Sequence, residues 1–141
     1  MYVITGGGSG LGRALALELA NRGHSVLVVG RRQEALKEVA ATSPLIDFCC
    51  ADVSTELGRH AILKALTDTA MINALIHNAG TIEPIAPLSD ITTAAWEQVM
   101  ATNLNAPFHL TRLLLPKLNQ ARVLHIGSGA AYFPVKAWAP Y

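Results

Sequence analysis

The sequence predicts an α/β protein with a doubly wound parallel sheet, whose strands lie in the order 3-2-1-4-5. Short apolar runs alternate five times with segments in which apolar residues recur at helical spacing, as in a parallel sheet with helices on both faces. The run Ser25–Val29 is almost wholly apolar, which is typical of a strand buried on both faces. A glycine-rich turn also joins the first strand directly to the first helix.

The turn Thr5–Gly12 connects the apolar run Met1–Ile4 to a predicted helix over Leu11–Arg22. A helix N-terminus presents free N–H groups and the positive end of its dipole to a phosphate, and glycines let a pyrophosphate approach the backbone. The turn therefore predicts nucleotide binding, and a glycine-rich turn without a ligand is the alternative. Its candidate cofactor-binding residues are Thr5, Gly6, Gly8, Ser9, Gly10, Leu11 and Gly12.

Two other phosphate-binding motifs are excluded at this turn. The phosphate loop of nucleoside triphosphatases requires Lys and then Ser or Thr after its last glycine, but Arg13 and Ala14 follow Gly12. The Gly-x-Gly-x-x-Gly fingerprint that would begin at Gly8 requires a third glycine, where the chain has Arg13.

Strands and helices are expected to alternate along the rest of the chain. The further predicted strands are Ser25–Val29, Leu45–Ala51, Ile72–Ile76 and Ala121–Ile126. The further predicted helices are Gln33–Ala41, Thr55–Thr69 and Thr92–Leu118. The sequence contains neither an internal repeat nor a linker, so residues 1–141 are expected to form one domain.

The end of the second strand carries Arg31 and Arg32 and no carboxylate. In a dinucleotide-binding fold this position lies beside the adenosine ribose, where Asp or Glu binds the hydroxyls of NAD. Guanidinium groups instead pair with the additional 2′-phosphate of NADP. NADP is therefore the predicted cofactor; the alternative is that the arginines only solvate the start of a helix.

Composition excludes several classes of partner. The chain has 141 residues, of which 51% are hydrophobic and 15% charged, and its net charge is +1. This charge gives no electrostatic basis for binding nucleic acid or an anionic membrane. No apolar run reaches the ~18–20 residues that span a bilayer, and a strand that starts at Met1 is expected to leave no room for a signal peptide.

Cys49 and Cys50 are adjacent in the predicted third strand. Because neighbouring residues on a strand point to opposite faces, a disulfide between them is not expected. Buried free thiols are typical of a reducing compartment, so a cytoplasmic location is predicted. The five histidines are scattered along the chain, so no metal site is expected.

Several motifs resemble those of the short-chain dehydrogenase/reductase family. The turn matches the family's Thr-Gly-x-x-x-Gly-x-Gly pattern, and Asn78-Ala79-Gly80 matches the end of its Asn-Asn-Ala-Gly stretch, with His77 in place of the first Asn. Ser128 and Tyr141 are thirteen residues apart, as are the catalytic serine and tyrosine of the family. With Asn103 included, the resemblance covers the whole chain and implies a Rossmann domain that binds NAD(P).

The resemblance implies hydride transfer between NADPH and a small-molecule carbonyl or alcohol. Tyr141 would donate the proton that the developing alkoxide needs, and Ser128 would hold the substrate oxygen by a hydrogen bond. Asn103 would bend its helix and hold a water in a proton relay from a lysine four residues after the tyrosine. A helix kink with no chemical part is the alternative for Asn103. His77 is expected to be a tolerated departure from the family pattern and not a base.

The resemblance also assigns residues beyond the turn to the cofactor. In the family, the positions of Asp52 and Val53 lie beside the adenine, with the carboxylate reaching its amino group. Asp52 is also a candidate cap of the next helix. Asn78 would tie the central strands together, and the small residues Ala79 and Gly80 would let the cofactor lie close to the backbone.

The predicted helix Thr92–Leu118 carries more apolar side chains than one sheet face should cover. They are Trp96, Leu104, Phe108, Leu110, Leu113, Leu114 and Leu115. In the family the corresponding helix pairs with a second subunit, so a homo-oligomer, either a dimer or a tetramer, is predicted. Burial by a further part of the same chain is the alternative.

Two other functions are weighed against an oxidoreductase. A nucleotide-binding redox sensor would keep the fold and lose the chemistry, but Asn103, Ser128 and Tyr141 together favour an enzyme. A hydrolase with the Gly-x-Ser-x-Gly motif around Ser128 would need glycines where the chain has Ile126 and Ala130.

The last part of the sequence resembles the sepiapterin and benzil reductase branch of the family. The matching residues are Ser128–Ala131, Pro134, Lys136, Trp138 and Tyr141. That branch implies NADPH-dependent reduction of a diketone or of a pterin side-chain carbonyl. The sequence stops on the tyrosine, before the lysine of the family. Residues 1–141 alone are therefore expected to bind the cofactor without turnover, whether they are a fragment or a naturally short protein.

Overall fold

Five parallel strands form one sheet in the predicted order. A computed structural model describes residues 1–133 and 135–141, so Pro134 of the branch resemblance lies outside the described residues. The strands are β1 (Tyr2–Thr5), β2 (Val26–Gly30), β3 (Ile46–Cys50), β4 (Ala74–His77) and β5 (Arg122–His125). Their order is β3-β2-β1-β4-β5, so the direction of winding changes between β1 and β4, where open α/β sheets bind ligands.

Helices cover both faces of this sheet. They are α1 (Gly10–Asn21), α2 (Gln33–Ala40), α3 (Glu56–Ala65), α4 (Thr93–Met100) and α5 (Ala106–Leu114). The single helix expected over Thr92–Leu118 is therefore divided, because a π-helix, Ala101–Asn105, joins α4 to α5. A short 3₁₀ turn, Leu115–Lys117, follows α5.

Pro107 explains the change of helix type. Its nitrogen carries no hydrogen, so it cannot donate the bond that a regular α-helix would direct to the carbonyl of Asn103. Its ring would also collide with that carbonyl in an α-helix, and a wider turn avoids the collision. The N–H of Ala106 accordingly bonds to the carbonyl of Ala101, five residues back. We therefore attribute the π-helical turn to Pro107.

Two apolar cores lie on the two faces of the sheet. Successive strand residues alternate between them, since neighbouring side chains point to opposite faces. Val3 packs in the core with Leu110 of α5, whereas Ile4 packs in the core with Leu36 of α2. These four side chains have no exposed surface, and each such burial stabilises the fold by about 1.5–3 kcal/mol. The cores hold the carboxyl ends of the strands in a fixed arrangement.

Large apolar side chains are exposed along α4, the π-helix, α5 and the 3₁₀ turn that follows it. They are Trp96, Leu104, Phe108 and Leu115. Leu110 and Leu114, which were counted in the predicted apolar excess, are buried, and Leu113 is half-buried. This helical segment therefore does expose apolar surface, as predicted, but fewer of its side chains contribute to that surface than the prediction counted.

Candidate active site

Two adjoining clefts lie at the carboxyl ends of the strands. The first, which we call the arginine cleft, has a volume of about 470 Å³, and its lining includes Gly6, Gly8, Ser9, Arg31, Arg32, Asp52 and Val53. The second, the tyrosine cleft, has a volume of about 580 Å³, and its lining includes Asn103, Ser128 and Tyr141. Both clefts are lined by the segment Asn78–Thr81, so they adjoin along the loop that follows β4.

Backbone conformation and space explain the glycines of the turn after β1. Gly6 has a φ of +67° and Gly10 a φ of +51°, conformations that other residues rarely adopt. At Gly12, a β-carbon would collide with the carbonyl oxygen of Gly6 and would lie 2.6 Å from Nδ2 of Asn78. Gly12 therefore lets α1 pack directly against β1 and the loop after β4.

Arg31 and Arg32 bring two positive charges to the arginine cleft. Neither guanidinium forms a salt bridge with any residue in the described part of the chain. Arg32 donates a hydrogen bond from Nη2 to Oγ of Ser9 at 2.8 Å. Ser9 is the N-cap of α1, but its hydroxyl accepts no hydrogen bond from the helix backbone. Two uncompensated cations beside a helix N-terminus suit a ligand that carries phosphate groups.

Hydrogen bonds fix the turn that follows β3. Oδ1 of Asp52 accepts from the N–H of Ser54 at 2.9 Å and from its Oγ at 2.7 Å. Arg59 donates to the carbonyl of Val53 at 2.9 Å. Thr55 caps α3, so the interpretation of Asp52 as the cap of this helix was wrong. The carboxylate of Asp52 instead closes a turn of the chain at the wall of the arginine cleft.

Asn78 and Thr5 join the central strands β1 and β4 at their carboxyl ends. Nδ2 of Asn78 donates to the carbonyl of Thr5 at 3.0 Å and to that of Gly6 at 3.2 Å. Oγ1 of Thr5 accepts from the N–H of Asn78 at 3.1 Å and from that of Ala79 at 3.0 Å. These contacts form the tie that was expected of Asn78. Thr5, a candidate cofactor residue, is buried in the same tie and lines neither cleft.

Asn103 clamps the loop after β4 to the π-helix. Its Oδ1 accepts from the N–H of Thr81 at 2.9 Å, and its Nδ2 donates to the carbonyl of Thr81 at 2.8 Å. Both polar ends of the carboxamide thus bond to one backbone residue. The clamp holds Gly80 and Thr81, which belong to the wall of both clefts. Asn103 is therefore placed to fix the shape of the site.

Ser128 and Tyr141 line the tyrosine cleft from the segment after β5. Oγ of Ser128 accepts from the N–H of Ala130 at 3.2 Å, which caps the 3₁₀ turn Gly129–Ala131. This bond leaves the hydroxyl proton of Ser128 available for a ligand. The ring of Tyr141 packs edge-on against Trp138 with centroids 5.7 Å apart, and the residue is 44% exposed.

His77 is a buried neutral group at the wall of the tyrosine cleft. Its Nε2 lies 2.8 Å from Oγ1 of Thr111 on α5, and its ring stacks on His125 with centroids 4.8 Å apart. Burial, followed by the neighbouring His125, lowers the pKa of His77 from the ordinary 6.5 to about 4. The imidazole is therefore uncharged at neutral pH, and its hydrogen bond and its stacking hold it in place.

Most of the predicted site residues line one of the two clefts. The exceptions are Thr5, Gly10, Leu11 and Gly12. The sequence analysis also missed several residues that line the arginine cleft, among them Glu83, Gln98 and Thr102. Gln98 and Thr102 are four residues apart, a spacing that places them on one helix face just before Asn103, so this signal was available. Glu83 lies in an irregular loop, where no periodicity could have identified it.

Gly7 was also missed, because its function is internal packing. A β-carbon at Gly7 would lie 2.6 Å from Cβ of Val28 on β2. The N–H of Gly7 donates to the carbonyl of Val29 at 3.0 Å. The absence of a side chain at Gly7 thus lets the turn pack closely against β2.

The two cysteines are free thiols, but they are not both buried as expected. Cys50 is exposed and Cys49 is half-buried, because β3 is an edge strand of the sheet. Across residues 1–133 and 135–141, no group of three or more His, Cys, Asp or Glu side chains could hold a metal ion. No helix in these two ranges is both long enough and apolar enough to cross a bilayer.

The whole chain matches a known protein family and several curated proteins. The short chain dehydrogenase family matches over residues 1–141. An NADPH-dependent pterin aldehyde reductase of Arabidopsis thaliana is 32% identical over 147 residues, which cover 99% of this chain and 60% of that protein. A benzil reductase of Bacillus subtilis (strain 168), which forms (S)-benzoin, is 28% identical over 145 residues, which cover 100% of this chain and 60% of that protein.

Solved structures share the fold over nearly the whole chain. A 3-ketoacyl-(acyl-carrier-protein) reductase from Brucella melitensis, complexed with NADH, has a TM-score of 0.92 and 25% identity, covering 99% of this chain and 62% of that one. The closed form of a serine dehydrogenase complexed with NADP+ has a TM-score of 0.89 and 28% identity, covering 99% and 58%. The predicted fold and family are confirmed. The chain spans about half the length of the curated relatives that it matches, between 48% and 62%.

Proposed function

The chain belongs to the short chain dehydrogenase family, and we propose that it supplies the cofactor site and catalytic residues of an NADP-dependent oxidoreductase acting on a small-molecule carbonyl or alcohol. One observation carries the proposal. Asn103, Ser128 and Tyr141 line a single cleft, and that cleft adjoins the one lined by Arg31 and Arg32. A dinucleotide bound along the two clefts would have its adenosine phosphates beside the arginines and its nicotinamide beside Ser128 and Tyr141.

The electrostatics of the arginine cleft support NADP over NAD. The two relatives of known structure described above hold NADP+ in one case and NADH in the other, so family membership leaves the choice open. In this chain no carboxylate pairs with Arg31 or Arg32 among the described residues. Two carboxylates line the same cleft: Asp52 accepts hydrogen bonds from Ser54, and Glu83 forms no salt bridge with either arginine within the described residues. The uncompensated guanidinium groups favour the ligand with the additional phosphate.

A titration of the intact protein with NADPH and NADH tests the cofactor assignment. We expect NADPH to bind more tightly, and Arg31→Asp to reverse the preference, since it replaces a cation with an anion. Arg13→Asp is the matched control, because Arg13 lies in the first turn of α1 but lines neither cleft. Equal or tighter binding of NADH by the wild type would contradict the assignment.

The proposed chemistry divides between two hydroxyl groups. A bound nicotinamide cofactor supplies or accepts the hydride. Hydride addition to a carbonyl carbon leaves negative charge on the oxygen, and Tyr141 would donate a proton to it. Ser128, whose hydroxyl proton is free, would hold the same oxygen by a hydrogen bond. A phenol with an ordinary pKa of ~10 needs a neighbouring cation to act in the oxidative direction.

The wall of the tyrosine cleft favours an apolar or aromatic carbonyl compound. Its apolar lining includes Ile82, Pro107, Ile126, Ala130, Ala131 and Trp138. Aromatic walls of this kind contact flat rings over a large area. The relatives named for pterin aldehyde and for benzil act on ring-bearing carbonyls, so we propose a diketone or a pterin aldehyde as substrate.

Activity of the intact protein separates this proposal from a redox sensor. Loss of NADPH absorbance should depend on benzil or on a pterin aldehyde. Tyr141→Phe and Ser128→Ala should each abolish most of this rate, by roughly 100-fold or more for the proton donor. Tyr132→Phe is the control, since Tyr132 is 85% exposed and lines neither cleft. Binding of NADPH without turnover of any carbonyl would instead favour the sensor.

The exposed apolar side chains of the α4–α5 segment support assembly into a homo-oligomer. Leu104 and Phe108 are 62% and 61% exposed and lie one helical turn apart. Light scattering of the intact protein should show at least a dimer. Phe108→Ser should weaken the association of the subunits. Leu57→Ser is the control, because Leu57 is a leucine on α3 that is 83% exposed, more than either of these residues. A monomer at micromolar concentration would favour coverage of the segment by the same chain.

We further infer a cytoplasmic location, for which the free thiols of Cys49 and Cys50 are the support. Fractionation of cells that produce the protein tests it. Recovery in an oxidising compartment would contradict it.

A further inference from the structure

Ser9 and Arg32 form a bridge across the arginine cleft. Ser9 ends the glycine turn as the N-cap of α1, and Arg32 follows β2 as the N-cap of α2. The two residues are 23 positions apart in sequence, and their side chains meet at 2.8 Å. Both also line the cleft. The bridge therefore connects the two strand-to-helix turns at the place proposed for the adenosine phosphates.

The hydroxyl of Ser9 departs from the usual behaviour of a helix N-cap. Thr55 and Thr92, the N-caps of α3 and α4, each accept a bond from the backbone N–H three residues later. Ser9 has the same extended backbone, but its oxygen accepts from the guanidinium of Arg32 and makes no capping bond. A cap normally stabilises its own helix. In α1 the hydroxyl does not stabilise its own helix in this way and instead binds the side chain of Arg32.

The bridge holds Arg32 without neutralising its charge. A carboxylate in the position of Ser9 would cancel the cation, whereas a hydroxyl oxygen only accepts one of its hydrogen bonds. A guanidinium has five N–H donors in a planar fork. Within residues 1–133 and 135–141, the acceptor for the Arg32 side chain is the hydroxyl of Ser9. This bond restrains the guanidinium at the cleft and leaves its remaining donors open, which lowers the ordering cost of binding an anion.

Arg31 provides an internal comparison. It lines the same cleft, but its side chain makes no hydrogen bond or salt bridge within the described residues. Binding through Arg31 alone would have to order a long flexible side chain. Of the two arginines, Arg32 is the one whose direction is set before the ligand arrives.

We propose that Ser9 is a positioning residue that sets the preference for NADPH by holding Arg32 ready for the 2′-phosphate. The inference rests on the proposed NADP dependence. It predicts that Ser9 contributes to binding of the 2′-phosphate only through Arg32, and that it contributes nothing to ligands without this group.

A double-mutant cycle on the intact protein tests the inference by calorimetry. The probes are adenosine 2′,5′-bisphosphate and 5′-AMP, which differ only in the 2′-phosphate. Ser9→Ala should weaken binding of the bisphosphate by about tenfold, as expected for loss of a hydrogen bond to a charged group. The affinity for 5′-AMP should not change. In the Arg32→Gln background, Ser9→Ala should have no further effect. Ser9→Thr keeps the hydroxyl and should restore the affinity.

The possible failures of this experiment are distinguishable. An equal loss for both probes would overturn the inference, since Ser9 would then serve the shared part of the ligand or the fold. A tenfold effect that persists in the Arg32→Gln background would also overturn it, because Ser9 would then contact the phosphate directly. If the wild type does not prefer the bisphosphate to 5′-AMP, the proposed NADP dependence itself fails, and the inference fails with it. If the wild type prefers the bisphosphate but the cycle shows no coupling between Ser9 and Arg32, the inference is refuted and the proposed NADP dependence stands.

Discussion

Replacement of His77 should remove a specific part of the pH dependence of folding. His77 is 5% exposed, bonds to Thr111 at 2.8 Å and stacks on His125. Its pKa is lowered to about 4 in the folded protein, first by burial and then by His125. In the unfolded chain the pKa returns to about 6.5. Between these two values the unfolded state therefore binds more protons than the folded state.

The sign and size of the effect follow from this difference in pKa. Where the unfolded state binds more protons, the free energy of unfolding falls as the pH falls. The contribution of neutral His77 is complete above about pH 6.5 and is lost progressively toward pH 4. Between about pH 7.5 and about pH 5, His77 alone should lower the free energy of unfolding by roughly 2 kcal/mol.

Urea unfolding of wild type and His77→Asn at these two pH values measures the effect. Asparagine is the residue of the family pattern at this position, and its side chain does not titrate. Subtraction of the two proteins removes the titration of all other groups, so the wild type should lose about 2 kcal/mol more than the variant. His125→Gln should keep most of the dependence, because burial is the larger cause. Equal losses in wild type and His77→Asn would refute the reasoning.

The remaining predictions concern packing at the glycine turn and the loop clamp. Gly12→Ala should destabilise the fold by about 1–3 kcal/mol in urea unfolding because its β-carbon has no space, whereas Gly129→Ala, which meets nothing within 4 Å, should be near neutral. Asn103→Ala should cost about 1–3 kcal/mol and raise the NADPH dissociation constant, since both backbone groups of Thr81 lose their partner; unchanged stability would argue against the clamp.

The strand order and the position of the two clefts were predictable from local pattern. Short apolar runs such as Ser25–Val29 identify buried strands, and handedness rules then leave few ways to connect them. In a parallel sheet every strand ends at the same edge, so Arg31, Asn78 and Ser128 had to arrive near one another. The spacing of Ser128 and Tyr141 carried the family resemblance.

Other features depend on contacts between distant parts of the chain. The bridge from Ser9 to Arg32 and the clamp from Asn103 to Thr81 join residues whose separation in sequence has no periodic signal. The low pKa of His77 depends on burial and on a neighbour from another strand, neither of which is visible in the motif that contains it. Sequence by itself determined which side chains reach the edge of the sheet, because strand direction and residue order are local properties of the chain. Only the tertiary structure decided which of them bond to each other, because hydrogen bonds and desolvation depend on distances of a few ångströms that packing of the whole fold sets.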